Sequence, residues 1–334
     1  MSNIRCVWSR FVGVLALLAA LGSSPSAGAQ EVIKIGTLVP KSSPWGKVFL
    51  TWEKAVEEKS GGRMRLQFFY NGQQGDEAAI IGKVKAGTLD GAAVTGVGLG
   101  KIYKPIAALQ MPGLFTSWTA LDAAREALNA EFTKGASDAG FTVLGWYDVG
   151  MTRLLSKAVE IRIPTDIRGK KPFVWRDDVI GPITYQVIGG VTPIPLNIPE
   201  VLPSLNTGAI NVVTATALEA EQLQWASKLD VVAAEPHAFA IAGLVIGSKR
   251  LDALPADLKA ILVDTGKVTA NALRGRIRSE DDAAHTRLAG KMTKVTPSDD
   301  DRTAWQAHYT QVRQRLGQGT FATEFMTRLE GMRR

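Results

Sequence analysis

The chain opens with two strand patterns separated by a helix pattern, and this order limits the fold more than any other feature. EVIKIGTLV, residues 31–39, alternates apolar and polar side chains as a strand does. After the break PKSSP, the apolar residues of WGKVFLTWEKAVEEK recur at helical spacing, with Ser42 or Ser43 as the cap. RMRLQFFY, residues 63–70, predicts a second strand. Two strands joined by a helix favour a parallel sheet with a right-handed crossover.

A similar order of strands and helices recurs after residue 150, so the sequence predicts two α/β lobes. From Pro255 onward, a helical pattern with few breakers continues for more than thirty residues. A helix of that length exceeds the span of one small lobe. We therefore predict an α/β fold of two lobes, with one long helix crossing both of them.

The first 29 residues have the features of an export signal rather than of a folded segment. Arg5 and Arg10 precede an apolar run at residues 11–22, and Ala-Gly-Ala at residues 27–29 fits a cleavage site after Ala29. Cys6, the one cysteine of the sequence, lies before that run. Cleavage would leave a soluble chain that is not itself membrane-spanning and has no thiol, which excludes disulfides and cysteine chemistry.

The charge pattern argues against nucleic-acid binding. The formal charge of the whole sequence is +7, and loss of Arg5 and Arg10 lowers it to +5. The lysines and arginines are scattered among acidic residues, whereas a nucleic-acid surface needs clustered basic side chains. We expect no nucleic-acid partner.

No motif in the sequence indicates catalysis, a metal or a cofactor. His237, His285 and His308 are too far apart to form a local metal motif, and no HExxH or GxSxG pattern occurs. The glycines of TGVGLGK, residues 95–101, fit neither the dinucleotide fingerprint nor the phosphate-binding P-loop. We expect no catalytic residues, no metal site and no cofactor.

Four sequence blocks carry a resemblance to a known family. They are YNGQQGDEAAIIGKVKAGTLDGAAVTG at residues 70–96, IAALQMPGLF at 106–115, IRIPTDIRGKK at 161–171 and EVLPSLNTGAINVV at 200–213. In order and spacing they resemble the substrate-binding subunit of tripartite ATP-independent periplasmic (TRAP) transporters, the DctP family. The resemblance covers nearly all of the chain after the signal segment. It implies a two-lobed periplasmic binding protein of type II-like architecture that closes over a ligand.

The resemblance also implies a location, partners and domain limits. We expect a periplasmic protein that captures a small organic acid and delivers it to the small and large membrane subunits of a TRAP permease. After the signal segment, 1–29, lobe I would comprise residues 30–153 plus about 242–275. Lobe II would comprise residues 154–241 plus about 276–334.

Three polar positions of the family pattern are changed in this chain. In the strand that follows Gly169-Lys170-Lys171, a family arginine that pairs with a ligand carboxylate falls on Phe173. A second family arginine falls on Thr152, with Arg153 beside it, and a family asparagine falls on Ala215. A buried carboxylate needs a cation or several donors, and a phenylalanine supplies neither. Either Arg153 or Arg176 replaces the missing cation, or the ligand presents no buried carboxylate to this wall.

Phe173 and Trp175 share one face of a predicted strand. That face is either a wall of the ligand cleft or part of the hydrophobic core. As a wall, it favours an aromatic or largely apolar ligand, including an acid held by Arg153 or Arg176, over a simple C4-dicarboxylate.

We also expect a tryptophan of the first lobe and several polar or aromatic side chains to contact the ligand. Trp45 lies in a loop after the first strand and packs either on the ligand or on its own helix. The remaining candidates are Thr95, Trp146, Tyr147, Thr152, Thr214 and Thr216.

A ligand-sensing or interaction protein stays open as an alternative function. Such a protein would present its bound ligand to a membrane receptor or a helical partner. Transport and sensing use the same closing cleft, so the sequence leaves this choice, the exact ligand and the oligomeric state undetermined.

Overall fold

The computed structural model describes residues 30–333, and the predicted signal segment lies outside the described residues. The strands are β1 Glu31–Thr37, β2 Met64–Phe69, β3 Gly91–Thr95, β4 Phe141–Ser156, β5 Phe173–Trp175, β6 Ile194–Leu196, β7 Val212–Thr216, β8 Val231–Ala233, β9 Ala238–Gly247 and β10 Thr293–Val295. The helices are α1 Pro44–Lys59, α2 Glu77–Lys85, α3 Gly96–Ile102, α4 Trp118–Asp138, α5 Gly181–Ile188, α6 Ile198–Thr207, α7 Ala217–Gln222, α8 Ser248–Asp252, α9 Ala256–Ala289, α10 Asp299–Leu316 and α11 Thr323–Gly331.

One eight-stranded sheet runs through the molecule in the order β10-β8-β4-β9-β3-β1-β2, with β7 also paired to β4. β1 pairs in parallel with β2 and with β3, as the β-α-β pattern predicted. β9 lies antiparallel between β3 and β4. A separate two-stranded parallel sheet joins β5 to β6. We call β1–β3 with α1–α4 the first lobe, and β5–β8 and β10 with α5–α7 the second lobe.

β4 and β9 connect the two lobes. β4 pairs with β9 from Phe141 to Thr152 and with β7 from Thr152 to Ser156, so it continues from the first lobe into the second. The pairing with β9 is irregular between Asp148 and Gly150. Gly150 has φ +140°, and a Cβ there would lie 2.6 Å from Cγ of Asp281. A glycine is required at this bend because both the backbone conformation and the contact exclude a side chain.

The long helix predicted from Pro255 is observed as α9, which has 34 residues. Its first half contacts α1, where Trp52 Nε1 donates to Thr265 Oγ1 at 2.9 Å. Its second half reaches α7 and β4, where Asp281 accepts from the backbone N–H groups of Leu218 and Met151. α9 therefore touches both lobes and the strand between them. No helix within residues 30–333 combines the length and apolar character needed to cross a membrane.

A buried ion cluster attaches α9 to the first lobe. Asp148 of β4 accepts from Arg125 Nη1 and from Arg278 Nε, each at 2.8 Å. Arg278 Nη1 also donates to Asp122 Oδ2 at 2.8 Å. Asp148 and Arg125 are almost inaccessible to solvent, but both are paired and hydrogen-bonded, as buried charges must be.

The C-terminal segment departs from the predicted division into lobes. Residues 276–334 were assigned to lobe II, but α11 packs on α4 of the first lobe. The ring centroids of Phe325 and Phe132 are 6.4 Å apart, and Arg328 Nη2 lies 2.5 Å from Glu131 Oε2. The apolar face of α11, with Phe325, Met326 and Leu329, is buried there because α4 offers a matching apolar surface.

Candidate functional site

Two adjoining cavities lie between the lobes, at the carboxyl ends of β3 and β7, where α/β folds bind ligands. Their volumes are about 160 Å³ and about 60 Å³. We call the pair the cleft. The residues common to both cavities are Thr95, Val149, Trp175, Ile198 and Glu219.

Aromatic side chains of the second lobe form one wall of the larger cavity. Phe173 and Trp175 of β5 both line it, together with Val174 between them. Trp225 lines it as well, and its ring meets Phe173 edge to face at 6.0 Å. Val149 and Thr152 of β4 and Ala238–Ala240 of β9 lie along the same cavity. The cavity therefore presents rings and small side chains to its occupant.

Several contacts cross the cleft and hold the lobes together. Asp76, the N-cap of α2 in the first lobe, accepts from the Trp175 indole at 3.1 Å and from the backbone N–H of Ile198 at 3.0 Å. Lys101 of the first lobe also pairs with Asp177 of the second lobe at 2.6 Å. The described arrangement is a closed one.

Neither arginine predicted to replace the missing cation lines the cleft. Thr152 lines the larger cavity, so the next residue, Arg153, points to the opposite face of β4. There Arg153 Nη1 donates to the Met151 carbonyl at 3.0 Å and lies 3.7 Å from Asp281. Arg176 follows β5, is half exposed and pairs with Glu200 at 3.2 Å. Both predictions are wrong, because strand alternation buries one arginine behind the sheet and leaves the other at the surface.

The structure divides the other predicted residues between the cleft and the protein interior. Thr95, Thr152, Phe173, Trp175 and Thr214 line the larger cavity, and Trp45 and Tyr147 line the smaller one. Trp146 points away to α4, where its indole donates to Asn129 at 2.8 Å. Ala215 is buried in the core, and Thr216 is buried as the N-cap of α7. None of Trp146, Ala215 and Thr216 lines either cavity, because Ala215 lies on the face of β7 opposite to Thr214 and the other two side chains are engaged with α4 and α7.

The sequence did not identify the carboxyl groups of the cleft. Two of them, Glu77 and Asp178, accept short hydrogen bonds from nearby protein donors. Glu77 accepts from the Thr95 N–H and hydroxyl and from the Gly98 N–H, at 2.7–2.9 Å. Asp178 accepts from the N–H groups of Ile180 and Gly181 at 2.9 and 2.8 Å and so caps α5. These two carboxyl groups stabilise local structure.

Glu219 is a third carboxyl group and lines both cavities. Its hydrogen bond from the backbone N–H of Thr216 is long, at 3.4 Å. Within residues 30–333, no lysine or arginine lies within ion-pair distance of it. Burial raises the pKa of Glu219 to about 7, and the nearby Asp281 carboxylate also raises it. The sequence signal was the pattern Thr216-x-x-Glu219, which predicts a capping box and gives no hint of a cleft position.

The cleft has no positively charged side chain at neutral pH. In the part of the chain that the structure describes, no lysine or arginine lines either cavity. His237 lines the larger cavity, but burial and the nearby Arg153 lower its pKa to about 4, so its ring is neutral. The cleft can therefore enclose a ring and accept hydrogen bonds, but it offers no cation for a buried carboxylate.

Comparison with known proteins gives consistent matches. Residues 35–318 match the family described as bacterial extracellular solute-binding protein, family 7, or DctP. A solute-binding protein of Chromohalobacter salexigens is 27% identical over 176 residues, which are 52% of this chain and 51% of that protein. The chain thus matches about half the length of that relative.

Solved structures match over nearly the whole described chain. A TRAP periplasmic solute-binding protein from Sulfitobacter sp., with bound β-D-galacturonate, has a TM-score of 0.81 at 19% identity and covers 91% of this chain and 99% of its own. One from Sulfurospirillum deleyianum, with bound succinate, has a TM-score of 0.84 at 17% identity, with coverages of 91% and 99%. At these identities the likeness establishes the two-lobed α/β fold.

Proposed function

Since the chain belongs to the DctP family of bacterial extracellular solute-binding proteins, we propose that it is the periplasmic solute-binding subunit of a TRAP-type uptake transporter. Proteins of this family bind solutes and are not enzymes. In this role the chain captures its solute between the lobes and delivers it to the small and large permease subunits in the membrane. The export signal predicted in residues 1–29 supports a periplasmic location.

The solute that suits this cleft is a small aromatic or largely apolar molecule without a buried carboxylate. The observation that carries the proposal is the lining of the cleft, which combines Phe173, Trp175 and Trp225 with no lysine or arginine from residues 30–333. The structural neighbours named above hold galacturonate and succinate, which are anions. Leaving such an anion unpaired in this cleft would cost several kcal/mol.

The size of the larger cavity suits a single ring. Its volume of about 160 Å³ resembles that of engineered cavities of ~150 Å³ that take up benzene. Burying about 200 Å² of apolar ligand surface at about 25 cal/mol/Å² contributes about 5 kcal/mol. Micromolar affinity needs about 8 kcal/mol, so a few hydrogen bonds suffice for the remainder. The hydroxyl groups of Thr95, Thr152 and Thr214 are available at the cavity wall.

Capture follows from hinge motion between the lobes. β4 and β9 run through both lobes, so bending at the irregular pairing near Gly150 opens and closes the cleft. In the closed form, Asp76 binds Trp175 and Ile198 across the opening. Because Trp175 also lines both cavities, the side chain that walls the ligand helps to close the lobes over it.

A thermal-shift series tests this proposal with purified protein freed of ligand by unfolding and refolding. We expect benzyl alcohol to stabilise the protein, by about 2.7 kcal/mol at a hundred times its dissociation constant. Succinate and galacturonate should produce no shift. Phe173→Leu should remove most of the stabilisation by benzyl alcohol. Phe321→Leu is the matched control, because Phe321 is buried to the same extent, 5% against 6% exposed, in the cluster around α10 and α11.

Two outcomes would contradict the proposed solute class. A clear shift with succinate or galacturonate would show that the cleft accepts anions in spite of its lining. Equal loss of the benzyl alcohol shift in Phe173→Leu and Phe321→Leu would show that Phe173 acts through stability and not through contact.

A further inference from the structure

The Glu219 carboxyl group can accept more hydrogen bonds than residues 30–333 donate to it. It faces both cavities. The backbone N–H of Thr216 reaches it at 3.4 Å, beyond the 2.7–3.2 Å of a strong N–H···O bond. Across residues 30–333 it forms no ion pair, although twenty such pairs occur elsewhere in the structure. A half-buried carboxylate without a cation is costly unless a ligand supplies the partner.

Among residues 30–333, the titratable groups that line the cavities with Glu219 supply no positively charged partner for it. Glu77 and Asp178 are acidic and already accept backbone hydrogen bonds. His237 is neutral, and Tyr185 is the other titratable side chain of the larger cavity. The titratable groups around Glu219 are therefore either negatively charged or neutral, and none of them repels a cationic ligand.

The aromatic wall adds a second attraction for positive charge. Phe173, Trp175 and Trp225 line the larger cavity together with Glu219. The faces of aromatic rings attract cations, and indole is the strongest of them. A carboxylate and two indoles around one ring-sized cavity are a suitable site for a nitrogen cation attached to an apolar body.

We propose that Glu219 determines the specificity of the cleft and that the solute is a small aromatic cation whose protonated nitrogen donates to the Glu219 carboxylate. This inference rests on the proposed function, since it names the charge class of the solute that the transporter subunit captures. It separates this chain from structural neighbours whose bound solutes are anions.

The sign of the pH dependence separates two roles of Glu219. The charged and titratable groups that face it are Asp281 from α9, Glu77 from α2, Asp178 and Tyr185 of the second lobe, and His237. As an anion, Glu219 binds a cation more tightly as the pH rises from 6 to 8, because the pKa of about 7 lies in that interval. As a protonated donor to an anionic solute, it would bind less tightly over the same interval.

Three probes with the same ring test the proposal by calorimetry on the ligand-free protein: benzylamine, benzyl alcohol and benzoate. We expect benzylamine to bind roughly 10- to 100-fold more tightly than benzyl alcohol, as a charged hydrogen bond implies. Glu219→Gln should reduce the ratio of the benzylamine affinity to the benzyl alcohol affinity to about one. Glu221→Gln is the matched control, because Glu221 lies on the same helix but pairs with Arg287 outside the cleft.

The outcomes distinguish this inference from the proposed function. Equal affinities for benzylamine and benzyl alcohol, unchanged in Glu219→Gln, would overturn the inference and leave the proposed function standing. If the protein preferred benzoate, or if its affinity for benzoate fell between pH 6 and pH 8, the cleft would hold a carboxylate. Either result would overturn both the inference and the proposed function. Failure of all three probes to bind would also overturn both.

Discussion

The two lobes build their sides of the cleft in the same way and then use their carboxyl groups differently. In the first lobe, β3 ends at Thr95, whose hydroxyl accepts from the N–H of Val97 and caps α3. In the second lobe, β7 ends at Thr216, whose hydroxyl accepts from the N–H of Glu219 and caps α7. A glutamate lies beside each cap, Glu77 in the first lobe and Glu219 in the second.

The two glutamates differ in their hydrogen-bond donors as well as in exposure, since Glu77 is buried and Glu219 is half-buried. Glu77 accepts three hydrogen bonds from the β3–α3 turn, at 2.7–2.9 Å. Glu219 accepts one, at 3.4 Å. Burial raises the pKa of both, to about 8 and about 7. The comparison teaches that donor count, and not burial alone, separates a structural carboxyl group from one that is available to a ligand.

Removal of the two carboxyl groups should have very different costs. Glu77→Ala leaves the N–H groups of Thr95 and Gly98 buried without acceptors and creates a cavity, so we expect a loss of about 3–5 kcal/mol in unfolding free energy. Glu219→Ala should cost about 1 kcal/mol or less. Urea unfolding of both variants at pH 7 measures the difference, and similar losses would refute the argument from donor count.

The pH dependence of stability should also differ between the contributions of Glu77 and Glu219. A carboxyl group whose pKa is raised on folding binds protons more tightly in the folded state, so its contribution to stability is lost as the pH rises. For Glu219 this loss should occur between about pH 4.5 and pH 7, and for Glu77 it should continue to about pH 8. Glu219→Gln should lose about 2 kcal/mol less than the unaltered ligand-free protein between pH 5 and pH 8. Urea unfolding at several pH values gives this difference, and identical slopes would contradict it.

A smaller effect should come from the contact that joins the two lobes. Trp175→Phe keeps an aromatic side chain, although a smaller one, but removes the indole N–H that donates to Asp76, so the closed form should lose about 1 kcal/mol relative to the open one. Small-angle X-ray scattering should then detect a larger mean radius of gyration. Trp305→Phe is the control, because its indole donates to the Arg162 carbonyl outside the cleft. An unchanged radius in Trp175→Phe would show that this bond does not hold the cleft closed.

Strand and helix periodicity in the sequence predicted much of the fold. The β-α-β opening, the parallel pairing of β1 with β2, and the helix after Pro255 follow from patterns of apolar residues. Alternation along one strand predicted a common face for Phe173 and Trp175, and both line the larger cavity, but so does Val174 between them. The packing of α11 on the first lobe was missed, because an amphipathic pattern states that a face is buried but not against which partner.

The sequence did not predict which charged side chains line the cleft. Arg153 and Arg176 lie beside cleft residues in sequence, but the side of the sheet and the end of the strand decide where each guanidinium points. The Thr216-x-x-Glu219 pattern is typical of a helix cap, so the sequence favours a structural role for Glu219. Only the three-dimensional structure shows how few hydrogen-bond donors surround the Glu219 carboxyl oxygens.

The continuity of α9 has a consequence for the lifetime of the protein in the cell envelope. Because one uninterrupted helix packs on α1 near Thr265 and caps α7 through Asp281, neither lobe can unfold without disturbing the other. We therefore expect the unfolding of the two lobes to be coupled, so that a solute bound in the proposed cleft stabilises both of them. Proteases that attack the unfolded chain will then degrade the empty protein faster than the loaded one. On this basis we expect the protein to persist longer when its solute is abundant than when the solute is scarce.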